Sequence, residues 1–489
     1  MATGLAMGAL VLATRHEPIF GADEGYLWYG VLEVLRGAMP VRDFRSYEPG
    51  RYWVLAPFLW VGRRGLLAVR IGSTAVLAVG LFGLTLVGRS AGLGWGSIGA
   101  VVVVGTVWAI RPHKRIDQGV LLGLTAATVH FLDAPGPTSA TILGLSIGVA
   151  AVFGLNHGLY GAVIFVLVVV LGALKTDLSI GSVAGYGAAG VAVGAAPLWL
   201  TALARPGLLR ALVHRRLVAP TQRRSTNLPL PYPVPGRPSP QLTSALPVGL
   251  VPLVRAVFCV VPLLALVATV VAFLAGGDGQ IEQPVLTGAA VVALVAWHHV
   301  TSRADLGHLQ TVAPVAMVGL VAAGVVGLVI AAVVSVLVGP VQFETFKRWR
   351  HPERYFRPDS PVPGLWFRRT DGALLAAVAE LGAGSSPGSC WIAVPLGGWI
   401  LPLFDRRSAV YDTFCVYPAS PDEQRAMITQ LRAAQPEVAI IRLEALDGRD
   451  DLRFDRTHPA VWEYLNTAFV SAEVATPLPE SIRVFRSAG

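Results

Sequence analysis

The sequence is short of charge. Only 14% of its 489 residues are Asp, Glu, Lys or Arg, against roughly 25% in an ordinary soluble domain. Apolar residues make up 54%, and mean hydropathy is +0.59. A soluble globule of this length needs far more polar surface, so the composition excludes a soluble enzyme and a disordered chain. Cysteine is scarcer still. Cys259, Cys390 and Cys415 are the only three, too few for a disulfide scaffold or a paired-cysteine metal centre. Periodic repeats are not evident. The C-terminal third has neither a nucleophile motif nor a glycine-rich phosphate loop.

What the sequence has is apolar runs, at about 2–14, 65–88, 93–110, 117–132, 139–152, 158–174, 181–203, 247–275, 285–299 and 312–338. They imply a mostly α polytopic membrane protein with about ten transmembrane helices, several shorter than the ~20 residues a spanning helix usually needs. The first run has no small-residue cleavage site and reads as a retained span. Charge divides the chain. Residues 1–340 carry 22 Lys and Arg against 12 Asp and Glu, whereas residues 341–489 carry 17 against 18. The second block has over twice the charge density. It reads as a small soluble α/β domain following a membrane domain over 1–340. The net charge of +9 sits in membrane loops, so anionic lipid rather than nucleic acid is its counterpart.

In the tail, Trp391-Ile-Ala-Val-Pro395 reads as a strand, 421–434 as a helix with Asp422 and Glu423 at its start, and Glu437–Arg442 as a second strand. That order predicts a βαβ unit. Trp391, Ile392, Val394, Val438, Ile440 and Ile441 would face its core. Cys390 and Cys415 fit either a disulfide or two free thiols.

Four polar stretches interrupt the apolar runs. The first, 15–51, carries Asp23 and Glu24 ahead of Tyr26, Leu27, Trp28, Val31, Leu32 and Leu35 at helical spacing, which predicts a helix lying in the membrane interface. Asp23 either caps that helix or serves as a general base. The second, Arg111-Pro-His-Lys-Arg-Ile-Asp117, is either a cytoplasmic basic anchor or a phosphate-facing cluster. The third, 205–245, holds seven arginines, eight prolines and no acid. The fourth is His298-His-Val-Thr-Ser-Arg303-Ala-Asp305-Leu-Gly-His308. Polar groups at a membrane boundary are expensive. A metal site, a phosphate or sugar contact and plain interfacial polarity all remain open there.

The order of first apolar run, Asp23-Glu24, Arg36-Gly-Ala-Met-Pro-Val-Arg-Asp-Phe44, Tyr47-Glu-Pro-Gly-Arg-Tyr-Trp53 and then Arg70 resembles the GT-C superfamily of multi-spanning glycosyltransferases, with its protein O-mannosyltransferase and aminoarabinose-transferase-like branches. Val41 stands where that pattern usually has Tyr, and Glu48-Pro-Gly where it has Pro-Pro-Gly.

The resemblance implies inverting transfer of a sugar from a polyprenyl-phosphate donor to a cell-envelope glycan, lipid or protein. The active site would be extracytoplasmic in a multi-pass cell-membrane protein. It implies Asp23 as the base with Glu24 beside it. Asp117 would be a second acid orienting the acceptor or a divalent cation, the one cofactor the resemblance leaves room for. It places Lys114, Arg115, His157, Arg223, Arg224, Arg303 and His308 around the donor phosphate, with Asp305 and Glu48 orienting substrate. It also puts the tail outside, so one short run, 139–152 or 285–299, would not cross. The alternative functions are a flippase or transporter of lipid-linked sugars, which needs no base, and a non-catalytic envelope-assembly protein.

Overall fold

The computed structural model describes residues 1–62, 64–215, 231–234, 248–274, 283–338, 344–358, 365–386 and 388–487. The chain forms two compact units. One comprises Met1–Thr14, Arg70–Arg205 and Asn227–Phe343; the other comprises Arg15–Val69, Pro206–Thr226 and Glu344–Gly489.

The first unit is helical. Among the described residues, four helices of the chain are long and apolar enough to cross a membrane: Leu66–Ser90, Leu155–Lys175, Val251–Leu274 and Pro284–Ser302. A fifth is added if Ile180–Gly194 and Ala196–Ala204, bent by 54°, count as one broken span. Four or five of the ten expected runs thus reach that length among the described residues. Other apolar runs form helices of 10–17 residues, including Ala2–Thr14, Trp95–Trp108 and Pro137–Phe153. The run at 312–338 is split: Leu306–Ala322 ends at Gly324, whose φ of +98° a side chain would resist, and Val325–Val338 follows. Of the two runs named as alternatives for the one that would not cross, 285–299 belongs to one of the four long helices and 139–152 to a 17-residue one.

Burial sorts these helices. Only 22% of the apolar window of Val251–Leu274 is buried, as expected of a helix facing lipid, against 61% for Pro284–Ser302. Arg115–Asp133 and Leu306–Ala322 are buried along almost their whole length. Close helix pairs use glycine. A Cβ on Gly144 would lie 2.1 Å from the Gly187 carbonyl oxygen, and one on Gly194 would lie 2.2 Å from that of Leu145. Helices Pro137–Phe153 and Ile180–Gly194 thus meet backbone to backbone, the contact that small residues permit in a membrane. Polar groups are stitched across the interior. Gln118 Nε2 donates to the carbonyls of Trp108 (2.8 Å) and Gln310 (2.9 Å), and Trp108 Nε1 donates to Ser335 Oγ at 2.9 Å. Each bond satisfies a group that lipid could not.

The second unit is α/β. A two-stranded antiparallel ribbon, β1 (Tyr355–Phe356) and β2 (Phe367–Arg368), precedes a five-stranded sheet. Its strands are β3 (Cys390–Val394), β4 (Arg407–Ser408), β5 (Val438–Arg442), β6 (Phe469–Ser471) and β7 (Ile482–Ser487), in the order β4-β3-β5-β7-β6. β3 runs parallel to β4 and β5, and β7 is antiparallel to β5 and β6. The helix read at 421–434 occupies Pro421–Ala434 and opens on a capping box between Ser420 and Glu423, which satisfies two otherwise orphaned N–H groups. All six strand residues expected to be buried are at most 2% exposed, as parallel strands covered on both faces should be. Cys390 and Cys415 are free thiols.

The same unit contains helix Asp23–Leu35 and helix Pro49–Val61. The first is the helix read as lying in the membrane interface, and within the protein every residue from Glu24 to Glu33 is buried. Gly25 explains how: a Cβ there would lie 2.1 Å from Trp399 Cβ and 2.7 Å from its Cα. Only glycine lets the loop after β3 press onto the first turn of this helix.

Candidate functional site

Asp23 does not cap its helix. Ala22 holds the cap position without a side-chain bond, and Asp23 and Glu24 fill the first turn, where the helix dipole favours acids. Glu24 Oε2 accepts the Phe20 N–H at 3.2 Å, while Asp23 Oδ1 accepts a hydrogen bond from Tyr47 Oη at 3.2 Å. Asp23 is half-buried, so it keeps access to water. Burial, and then the Asp23 charge, push the Tyr47 phenol well above its usual range, so its hydroxyl stays a donor. Glu48, at the cap position of Pro49–Val61, is buried.

Around this carboxylate, the chain between the two helices is tied to the sheet. Arg45 pairs with Asp412, its N–H donates to the Tyr411 carbonyl at 2.8 Å, and Tyr411 Oη donates to Val41 O at 2.6 Å. Burial opposes ionisation of Asp412, but the Arg45 charge and the N–H groups of Cys415 and Phe414 outweigh it and hold the carboxyl below its usual range. A depressed carboxyl stabilises the fold above its unfolded value, near ~3.9, and that stability is lost as pH falls through the folded value. Asp412→Asn should therefore cost about 3 kcal/mol at neutral pH, because Arg45 stays behind without its partner. Thermal unfolding of the full-length protein measures it, and the deficit should shrink as pH falls below 4.

The first unit holds a second polar cluster. Asp117, in the first turn of Arg115–Asp133, meets His157 with Oδ1 3.3 Å from Nε2. Tyr160, one turn further along the His157 helix, bonds His298 Nδ1 at 3.1 Å. The His299 and His308 rings lie 4.7 Å apart. Asp305 caps Leu306–Ala322 by accepting the His308 N–H at 2.9 Å, and it also engages His308 Nδ1 (2.9 Å) and Arg303 Nε (2.7 Å). Burial would raise the Asp305 carboxyl, but the His308 bond and charge and the Arg303 charge hold it well below the usual range. At the second residue of that helix, Gly307 leaves a gap: a Cβ would lie 3.1 Å from Arg111 Nη1, 3.2 Å from Asp305 Oδ1 and 3.8 Å from Lys114 Cε. Two cations and the Asp305 carboxylate thus meet at this helix N-terminus.

Arg115 is placed differently. It is fully buried, with Nε donating to Ala109 O (2.8 Å), Nη1 to Thr74 Oγ1 (2.8 Å) and Nη2 to Thr14 Oγ1 (2.8 Å) and Ile110 O (3.3 Å). Arg223 and Arg224 lie outside the described residues. Among the described residues, no group of three or more His, Cys, Asp or Glu is arranged to hold a metal ion. The sequence alone singles out neither Tyr47 nor Tyr160, and it gives Arg111 no role of its own. The aromatic-rich Tyr47-Glu-Pro-Gly-Arg-Tyr-Trp53 stretch was the available signal for Tyr47, and the boundary position of Arg111 the signal for that residue.

No family model matches the sequence, and no curated protein is significantly similar to it. Among solved structures, the chain is similar to ArnT from Cupriavidus metallidurans. The apo form is 13% identical, with a TM-score of 0.49 over 99% of this chain and 96% of that one. The form bound to undecaprenyl phosphate is also 13% identical, with a TM-score of 0.48 over 99% and 97%. A likeness of this degree assigns no ligand and no residue role here.

Proposed function

We propose that this chain is an integral-membrane inverting glycosyltransferase that takes its sugar from a polyprenyl-phosphate donor and transfers it to a cell-envelope glycan, lipid or protein outside the cytoplasm. The observation that carries the reading is the convergence of Arg111 and Lys114 at Gly307, beside His308, on the N-terminus of Leu306–Ala322. Asp305 already accepts the His308 N–H there, and a lipid phosphate would bring a further negative charge for these cations together with an apolar tail for the membrane.

The chemistry needs a base as well as an anion cradle. A base takes the acceptor hydroxyl proton, the oxygen attacks the anomeric carbon opposite the phosphate, and the bond from that carbon to phosphate oxygen breaks. Asp23 is our base, because it is a half-buried carboxylate at a helix start. Lys114, Arg111 and His308 meet the charge that develops on the departing phosphate. Asp117 and His157, held together, orient the groups around it. Asp305 and Arg303 fix the His308 ring. A flippase would share the anion site but would not lose its function with the base.

The test is direct. Full-length protein in detergent should bind undecaprenyl phosphate, and Lys114→Ala and His308→Ala should each weaken that affinity about tenfold, the scale of one charge-assisted hydrogen bond. Unchanged affinity in both variants, followed by tryptophan fluorescence, would refute the site.

A further inference from the structure

We propose that Tyr47 is a positioning residue for the Asp23 carboxylate and that the C-terminal sheet holds it in place through the Arg45–Asp412 pair; this rests on the reading of Asp23 as the base. Tyr47 is fixed on every side that its chemistry uses. Its hydroxyl donates to Asp23 Oδ1 at 3.2 Å. Its N–H donates to Tyr52 Oη at 2.9 Å. Its ring stands edge-on to Tyr26 at 5.5 Å, and the Arg51 guanidinium lies 4.9 Å from its centroid. A phenol held this way has one orientation for its hydroxyl to offer.

Two residues upstream, Arg45 links this segment to the tail. Its carbonyl accepts the Tyr26 hydroxyl, its N–H bonds Tyr411 O, and its guanidinium pairs with Asp412. Asp412 is itself fixed by the N–H groups of Phe414 (2.8 Å) and Cys415 (3.1 Å), and Phe414 packs on Tyr26 at 5.1 Å. The loop at 411–415 therefore sets where the 44–47 segment sits, and through it where the Tyr47 hydroxyl points. Donation to an ionised carboxylate favours the ionised form. Tyr47 thus orients the Asp23 carboxylate, favours its ionised form, and fixes which oxygen is occupied.

The consequence can be read without knowing the sugar. A water-soluble carbodiimide with glycine ethyl ester modifies carboxyl groups in their protonated form, and peptide mass spectrometry follows Asp23 alone. In full-length protein, the pH at which Asp23 labelling is half-maximal should rise by about one unit in Tyr47→Phe, with the melting temperature little changed. The double variant Arg45→Met/Asp412→Leu leaves no unpaired buried charge and should move the midpoint in the same direction by a smaller amount. A midpoint unmoved in Tyr47→Phe overturns the role of Tyr47, and one unmoved in the double variant overturns that of the sheet. Sugar transfer retained by Asp23→Asn would instead overturn the base assignment, and the function of Tyr47 with it. Transfer lost in Asp23→Asn with an unmoved midpoint overturns Tyr47 alone.

Discussion

Asp23→Asn is expected to lower sugar transfer by about 10²- to 10⁴-fold, the range a positioned general base contributes, while leaving undecaprenyl phosphate affinity within about twofold. The substitution is nearly isosteric. It keeps an acceptor oxygen for Tyr47 Oη, which lies 3.2 Å from Oδ1, and it disturbs no cap, because Ala22 holds that position. What it removes is the capacity to take a proton. The melting temperature of the full-length protein should therefore hold while turnover at saturating donor collapses. Full turnover by the variant would remove Asp23 from the chemistry, and a fallen melting temperature would return it to a structural role.

Arg115→Ala should act on stability instead. Its guanidinium is 0% exposed and serves Ala109 O, Ile110 O, Thr74 Oγ1 and Thr14 Oγ1. Truncation leaves those acceptors buried where water does not reach them, a loss of about 1 kcal/mol each and about 4 kcal/mol together. Arg115→Lys recovers little of this, since one ammonium cannot match the spread of a planar fork. Thermal unfolding in detergent reads the effect. A melting temperature that holds while undecaprenyl phosphate affinity falls would put Arg115 back beside the donor, where the resemblance placed it.

The contrast between Arg115 and Lys114 shows what the sequence could carry. Both stand in Arg111–Asp117, and nothing local tells them apart. One turns into the protein and its neighbour toward Gly307 because of where Thr14, Thr74 and the start of Leu306–Ala322 lie, which is set by packing across more than 190 residues of chain. Local periodicity was enough for the helix at Pro421–Ala434 and for the alternation of strand and helix around it. The apolar runs were legible too, but not how long a helix each would form: 139–152 lies in a 17-residue helix and 312–338 is broken at Gly324. Helix Asp23–Leu35 read from its spacing as an interfacial helix, with nothing local to show what covers it. The covering surface is Trp399, some 370 residues away, admitted by the missing Cβ of Gly25. Pairings of this kind, Tyr47 with Asp23 and Arg45 with Asp412 among them, become visible only once the chain is folded.

The most direct measurement is a cryo-electron microscopy structure of the full-length protein with undecaprenyl phosphate. The phosphate is expected in contact with Lys114, Arg111 and His308 at the N-terminus of Leu306–Ala322. A phosphate found more than ~10 Å from all three, beyond the screening length at 0.1 M salt, would contradict it.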